Sequence, residues 1–285
     1  MNGVGTVYFV DGASGSDTGR TGKSWGAAFK TIAKAVATCS AGDSILIKGT
    51  AFSEAVTCSK AGVRFIGVGT GPAQATWTAP TVAASFCLKI SAVSVLVENI
   101  KFKPVIYTGS GVPSAIRLTT GCDYSVIRGN RFQGQVGSYK AIYAEANCSN
   151  LLIEDNEFLY MNTATNGGAI YSANLAGAWV IRNNIFNSCL SDIKIIGRWC
   201  ILDGNIHPIV GLKADGSIGT VTGAAVDLSG TDGDCNTMTR CTLGGTYNQA
   251  TYVTSTGGND LWRGNYASIV ATTAPNGLTV LIPAA

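Results

Sequence analysis

The sequence predicts an all-β chain, a solenoid of short parallel strands closed at its N-terminal end by one helix. Three observations carry this. The first is a phrase that returns as LVENIKF from Leu96, VIRGNRF from Val126, LIEDNEF from Leu152, VIRNNIF from Val180 and ILDGNIH from Ile201, with fainter copies at Thr237 and Leu261. Aligning the copies puts Ile100, Asn130, Asn156, Asn184, Asn205, Cys241 and Asn265 in one column, at steps of 30, 26, 28, 21, 36 and 24 residues, which is the period of a repeat protein. The second is the alternation of short β-branched runs with Gly, Asn and Ser corners from Asp43 onward. The third is composition: 36 Gly suit many tight corners, and only 7 Pro suit strands that hydrogen-bond on both edges.

The elements follow in order. TVYFV at 6–10 is the first strand, and a Gly/Ser/Asp loop follows it. The stretch 24–39 predicts an amphipathic helix with Ser24 as N-cap and Phe29, Ile32, Ala33 and Val36 on one apolar face. Such a helix plugs the open end of the first coil, which would otherwise present bare core and unpaired backbone. The strand SILIKG comes next. These pieces form an N-terminal segment, 1–48, that leads into the solenoid proper, 49–285, within one domain overall. Roughly nine coils stacked about 4.8 Å apart would run about 43 Å.

Each column has a physical reason. Asn tolerates the left-handed backbone of a sharp corner, and stacked Asn amides can hydrogen-bond one another. Two places later stand Phe102, Phe132, Phe158, Phe186 and His207, expected as a ladder of rings inside the solenoid. The columns three and four places before the Asn are both apolar, yet strand neighbours face opposite sides. One of them must therefore face out. Leu96, Val126, Leu152, Val180, Ile201 and Leu261 are read as that outer stripe, an oligomer interface between copies of the chain. A covering loop of the same chain is the alternative. Glu98, Glu154 and Asp203 share a slot with Arg128, Arg182 and Arg263, with Arg240 one place along on its rung, as expected of cross-rung ion pairs on a solvated face.

Composition excludes several classes. The net charge is +3 without a long basic run, so nucleic acid is not an expected partner. There is no stretch of eighteen apolar residues to span a membrane and no secretory leader in MNGVGTVYFVDG. That predicts folding in a reducing cytoplasm. The nine cysteines include no CxxC pair; no metal site and no cofactor is expected. Cys122 and Cys148 each lie eight residues before a column Asn, hence on adjacent rungs, and are read as buried free thiols, with disulfides the alternative. Asp11, Asp17, Asp232 and Asp234 in Gly-rich loops are read as turn formers rather than calcium ligands. Trp77, Trp179, Trp199 and Trp262 are weighed as sugar platforms and name no groove.

The opening VYFVDGASGSDTGRTGKSWGAAFKTIAKAV…AGDSILIKG resembles the start of pectate-lyase-like right-handed parallel β-helix proteins. As an architecture the resemblance covers essentially the whole chain, and it implies a fold rather than a chemistry. The stretches FLYMNTAT, VGLKADGS, CNTMTRCTLGGTY and ATTAPNGLTVLIP resemble β-helix repeat proteins of tailed bacteriophage particles, head decorations or tailspikes, which are commonly trimers. The RxPxxR of pectate lyases and the NTD, DD, GHG and RIK set of galacturonan hydrolases are absent. GTAFSE at 49–54 approaches the GxYxE of methylesterases, with Phe52 in place of Tyr, but has no later Asp segments to match. The expectation is therefore a non-enzymatic, homotrimeric capsid decoration (cement) protein on the particle surface, whose partners are its own copies and the phage major capsid protein. The alternative is a tailspike-type protein that binds or cleaves a host surface polysaccharide.

Overall fold

The computed structural model describes residues 5–80, 86–103, 113–134, 140–161, 168–189, 191–210, 225–228, 235–243, 253–254 and 260–267. All pairing between its strands is parallel, and the strands stack into three sheets. One coil shows the path. Leu96–Glu98 runs in the first sheet, Lys101–Lys103 in the second and Ser114–Leu118 in the third, and Val126–Arg128 then lies beside Leu96–Glu98. The chain is a right-handed parallel β-helix, the hand that right-twisted strands impose on such crossovers. Val7–Asp11 and Ser44–Lys48 are the first two rungs of the first sheet, continuous with Arg64–Gly67.

The corner between the first and second sheets takes two residues. The first is left-handed on every described coil from Asn99 onward: Asn99, Gly129, Asp155, Asn183, Gly204, Arg240 and Gly264 all have φ between 54° and 62°. The left-handed position thus falls one residue before the Asn column and not on it. The column residue itself aims its side chain inward. The Oδ1 of Asn130 accepts from Ile100 N at 3.0 Å, that of Asn156 from Asn130 N at 2.9 Å, that of Asn184 from Asn156 N at 3.0 Å, and that of Asn205 from Asn184 N at 3.0 Å. Each Nδ2 donates back to the previous rung, as Asn156 does to Ile127 O at 2.9 Å. At Cys241 a thiol takes the slot, 3.8 Å from Asn205 Nδ2, and the ladder resumes when Cys241 N donates to Asn265 Oδ1.

Inside, Trp77, Phe102, Phe132, Phe158, Phe186 and His207 stack face to face, with centroids 5.8, 5.2, 4.9, 4.6 and 4.8 Å apart. The spacing is that of the rungs, so rings in one slot meet at offset-stacking distance. Cys122 and Cys148, in one inward slot of adjacent rungs, are joined as a disulfide with Cα atoms 6.0 Å apart, so the free-thiol reading of this pair is corrected.

The helix is shorter than the sequence pattern suggests. It covers Ile32–Thr38, preceded by a 3-10 turn at Trp25–Ala27. Phe29 belongs to neither, because its N–H donates to Phe9 O and its C=O accepts from Asp11 N, both at 2.9 Å, which ties it to the first strand. The cap is Thr31, not Ser24, with its Oγ1 accepting from Lys34 N at 3.1 Å. Glu54 accepts from Ile32 N and Ala33 N at 2.9 Å each, and Lys60 Nζ donates to Val36, Ala37 and Cys39 carbonyls at the other end. Opposite charges thus meet both ends of the helix dipole. This gives GTAFSE a structural task.

Replacing Asn156 with Ala strands one buried donor, Asn130 N–H, and removes the amide bond to Ile127 O. The expected loss is on the order of 1–3 kcal/mol, read from guanidinium unfolding. A loss below about 1 kcal/mol would show that the column does not hold the corner.

Candidate functional site on the third sheet

Strand alternation puts Leu88, Ile116, Ile142 and Ile170 in the core and turns the residue after each of them out. Register then aligns those residues in one row across the outer face, with Thr57 before them and Lys194 and Asp227 after: Thr57, Lys89, Arg117, Tyr143, Tyr171, Lys194 and Asp227. Tyr143 and Tyr171 stack at 5.6 Å. Arg117 lies over Phe86 at 5.4 Å and Tyr143 at 5.6 Å. Lys140, at the start of Lys140–Ala144, reaches over Tyr171 at 4.4 Å and Tyr143 at 5.6 Å. Glu145 is shared between Arg117 Nη1 at 3.5 Å and Lys89 Nζ at 3.9 Å, and Lys194 meets Asp227 at 3.1 Å.

Lys140 differs from the other cations of this face. It is 7% exposed, and among the described residues its ammonium sits against tyrosine rings rather than against a carboxylate. Burial, with Lys194 nearby adding repulsion, pulls its pKa down to about 8. Burial and the charge of Glu145 push the Tyr143 hydroxyl up. The row therefore offers cations on aromatic backing, suited to a ligand that brings carboxylates and ring faces. Glu145 and Asp227 stand three rungs apart, about 14 Å at rung spacing. That exceeds the roughly 5–9.5 Å over which two carboxylates cleave a glycosidic bond.

The sequence holds a signal for this row that the apolar pattern hides. Counting back 13 residues from Asn130, Asn156 and Asn184 lands on Arg117, Tyr143 and Tyr171, and 11 from Ile100 and Asn205 lands on Lys89 and Lys194. Aromatic candidates chosen by residue type fare differently: Trp77 and Trp179 are fully buried, whereas Trp199 is 63% exposed. Trp25 packs edge-on against Phe9 at 4.9 Å.

The other predicted residues fall elsewhere. Asn130, Asn156, Asn184, Asn205, Asn265, Phe102, Phe132, Phe158 and Phe186 are buried. Leu96, Val126, Leu152, Val180, Ile201 and Leu261 share an outward row of the first sheet, with Ile201 and Leu261 above 40% exposed. His207 is buried, its Nδ1 2.7 Å from Asp192 Oδ2, and burial pushes the Asp192 carboxyl up against the pull of His207. His207 Nε2 and Asp192 Oδ1 have no hydrogen-bond partner among the described residues. The pair is closed off from solvent, which keeps it from acting on an external substrate. A shallow groove of about 280 Å³ lies along the first corner between Gly129, Arg131, Asp155, Glu157 and Asn183, where Arg131 is spent on Glu157 at 3.0 Å. No group of metal-binding residues occurs among the described residues, and Asp232 and Asp234 lie outside them.

No family model and no curated protein matches the chain. Solved structures do. The pectin methylesterase of Aspergillus niger is 17% identical with a TM-score of 0.48, the match covering 98% of this chain and 91% of that one. The pectin methylesterase PemA of Erwinia chrysanthemi is 14% identical with a TM-score of 0.41, covering 96% and 92%. ORF18 of Geobacillus virus E2 is 14% identical with a TM-score of 0.45, covering 92% of this chain and 57% of that one. Five of the matching structures are pectin methylesterases, and they correct the expectation of a non-enzymatic chain: the fold is one that also carries enzymes. At this identity they assign no reaction and no residue here.

One lysine should titrate far from the rest. After reductive ¹³C-methylation, one lysine resonance with a midpoint near pH 8 is expected by NMR beside that of the α-amine, and Lys140→Arg should remove it and leave the α-amine signal. A full set of lysines titrating together above pH 10 would refute the buried setting of Lys140.

Proposed function

We propose that this chain is a β-helical component of a bacteriophage particle that engages an acidic polysaccharide of the host surface along its third sheet. The observation that carries the reading is the row Lys89, Arg117, Tyr143, Tyr171 and Lys194, with Lys140 lying over its two tyrosines. Four cationic side chains outnumber Glu145 and Asp227 on this face, in a chain whose net charge is only +3. Sugar rings stack on aromatic surface, and carboxylates pair with Arg and Lys, so a polymer of uronic acids answers both features. A rigid row with rung spacing suits a repeating ligand better than a small molecule. The wording of FLYMNTAT and CNTMTRCTLGGTY supports the particle assignment.

A second reading, a head decoration that clamps the major capsid protein, draws on the exposed apolar row of the first sheet. It assigns contacts to the loop 11–23 and to 208–235, of which 211–224 and 229–234 lie outside the described residues. Co-sedimentation with empty capsids separates the two readings.

Calorimetric titration with polygalacturonate or alginate, and with dextran as the neutral control, tests the first. Binding to the acidic polymers alone is expected. Arg117→Ala with Lys140→Ala should weaken it tenfold or more, and raising the pH from 7 to 9 should weaken it as Lys140 loses its proton. Equal binding to dextran, or none to any acidic polymer tried, would overturn the reading. Polymer chain length after incubation reports cleavage in the same samples.

A further inference from the structure

The first sheet carries two outward rows side by side. One is apolar: Leu96, Val126, Leu152, Val180 and Ile201, followed by Thr237. The other, two residues along each strand, alternates in sign: Glu98, Arg128, Glu154, Arg182 and Asp203, followed by Thr239 with Arg240 beside it. Neighbours pair along the row, Arg128 to Glu98 at 3.2 Å, Arg182 to Glu154 at 2.7 Å, and Arg240 to Asp203. The alternation leaves a pattern of charge that a second surface can match or violate.

A second copy can face this sheet in two symmetric ways. A rotation axis parallel to the solenoid keeps each rung level with its own equivalent. With the axis over the charged row, like charge meets like at every rung; with the axis between the rows, each charged row lies over the apolar row of its partner; with the axis over the apolar row, only that row is covered. The first two cost desolvation without compensation, and the third leaves every charge at the rim without a cross-partner. A two-fold axis along the strand direction, between the Glu154 and Arg182 rungs, reverses the rung order instead. Glu154 then faces Arg182, Arg128 faces Asp203, and Glu98 faces the Thr239–Arg240 rung. In the apolar row Leu152 meets Val180, Val126 meets Ile201, and Leu96 meets Thr237. Every charge on these six rungs finds its opposite, and every apolar side chain but Leu96 finds another.

We propose that the first sheet is a self-association surface on which a second copy of this chain docks antiparallel, in place of the homotrimer expected from the sequence. The pairing is isologous, the commonest symmetry of homo-oligomers. It leaves the third sheet of both copies free, so it stands independently of the polysaccharide reading.

Cross-linking gives the orientation. In a Cys235→Ser background, Leu96→Cys and Thr237→Cys are made as separate proteins, both at outward positions. Mixed and oxidised, they should give a disulfide-linked dimer that neither gives alone. Sedimentation of the unmodified chain should show a concentration-dependent dimer, and Val180→Arg should raise its dissociation constant tenfold or more. Cross-linking of Leu96→Cys with itself would place copies parallel and overturn the proposal. So would a trimer, a monomer at every concentration, or a dimer indifferent to Val180→Arg.

Discussion

The structure depends on how one buried corner is satisfied. Between the first and second sheets the chain turns within two residues, and the second residue's N–H points along the solenoid axis into the core. A buried N–H without a partner costs about 1–3 kcal/mol, and the cost recurs at each coil. The Asn of the next rung supplies the acceptor, and its amide N–H repays the carbonyl of the rung before. The left-handed residue one place earlier makes the turn tight enough for those groups to meet. With the corner fixed, strand register is fixed, and a slip of one residue would turn every core side chain outward. The ring stack, the outer rows and the paired cysteines all inherit their positions from that register.

This is why the architecture was legible in the sequence. A corner that tolerates only Asn, with a thiol at Cys241 and a backbone donor at Ile100, leaves a column in the residues themselves. The aromatic column is legible for the same reason. The third-sheet row was not, because the connections before it vary in length between coils and because Arg117, Tyr143 and Lys194 share neither size nor charge. Only the backward count from the Asn column recovers it. The helix was overextended because Phe29 fits the apolar face of a helix as well as it fits the core. Its backbone pairing with Phe9 and Asp11 is a tertiary contact that no local pattern announces. Cys122 and Cys148 were placed on adjacent rungs by count. Their bonding was not legible, since a free thiol and a bonded one fill the same small slot.

The two outer faces discussed above divide the labour. The first sheet carries apolar residues beside a balanced row of opposite charges. The third carries cations and tyrosines, with the Lys140 ammonium set against the rings of Tyr143 and Tyr171. The separation follows from the triangular path of each coil, because three sheets sharing one core present three faces that need not agree in chemistry.

The amide ladder also has a direction. Each Asn accepts from and donates to the rung before it, so a coil is complete only when the following coil brings its Asn. A gene encoding such a chain can gain or lose a whole coil by duplication or deletion, because the new neighbours offer the same acceptor and donor. A change of a few residues is tolerated only in the connections. The steps spread from 21 to 36 residues around first-sheet strands that keep three residues from Leu96–Glu98 onward, as that rule requires. Length is thus quantised in coils while the loops drift, and surface chemistry can be rewritten one rung at a time without disturbing the axis.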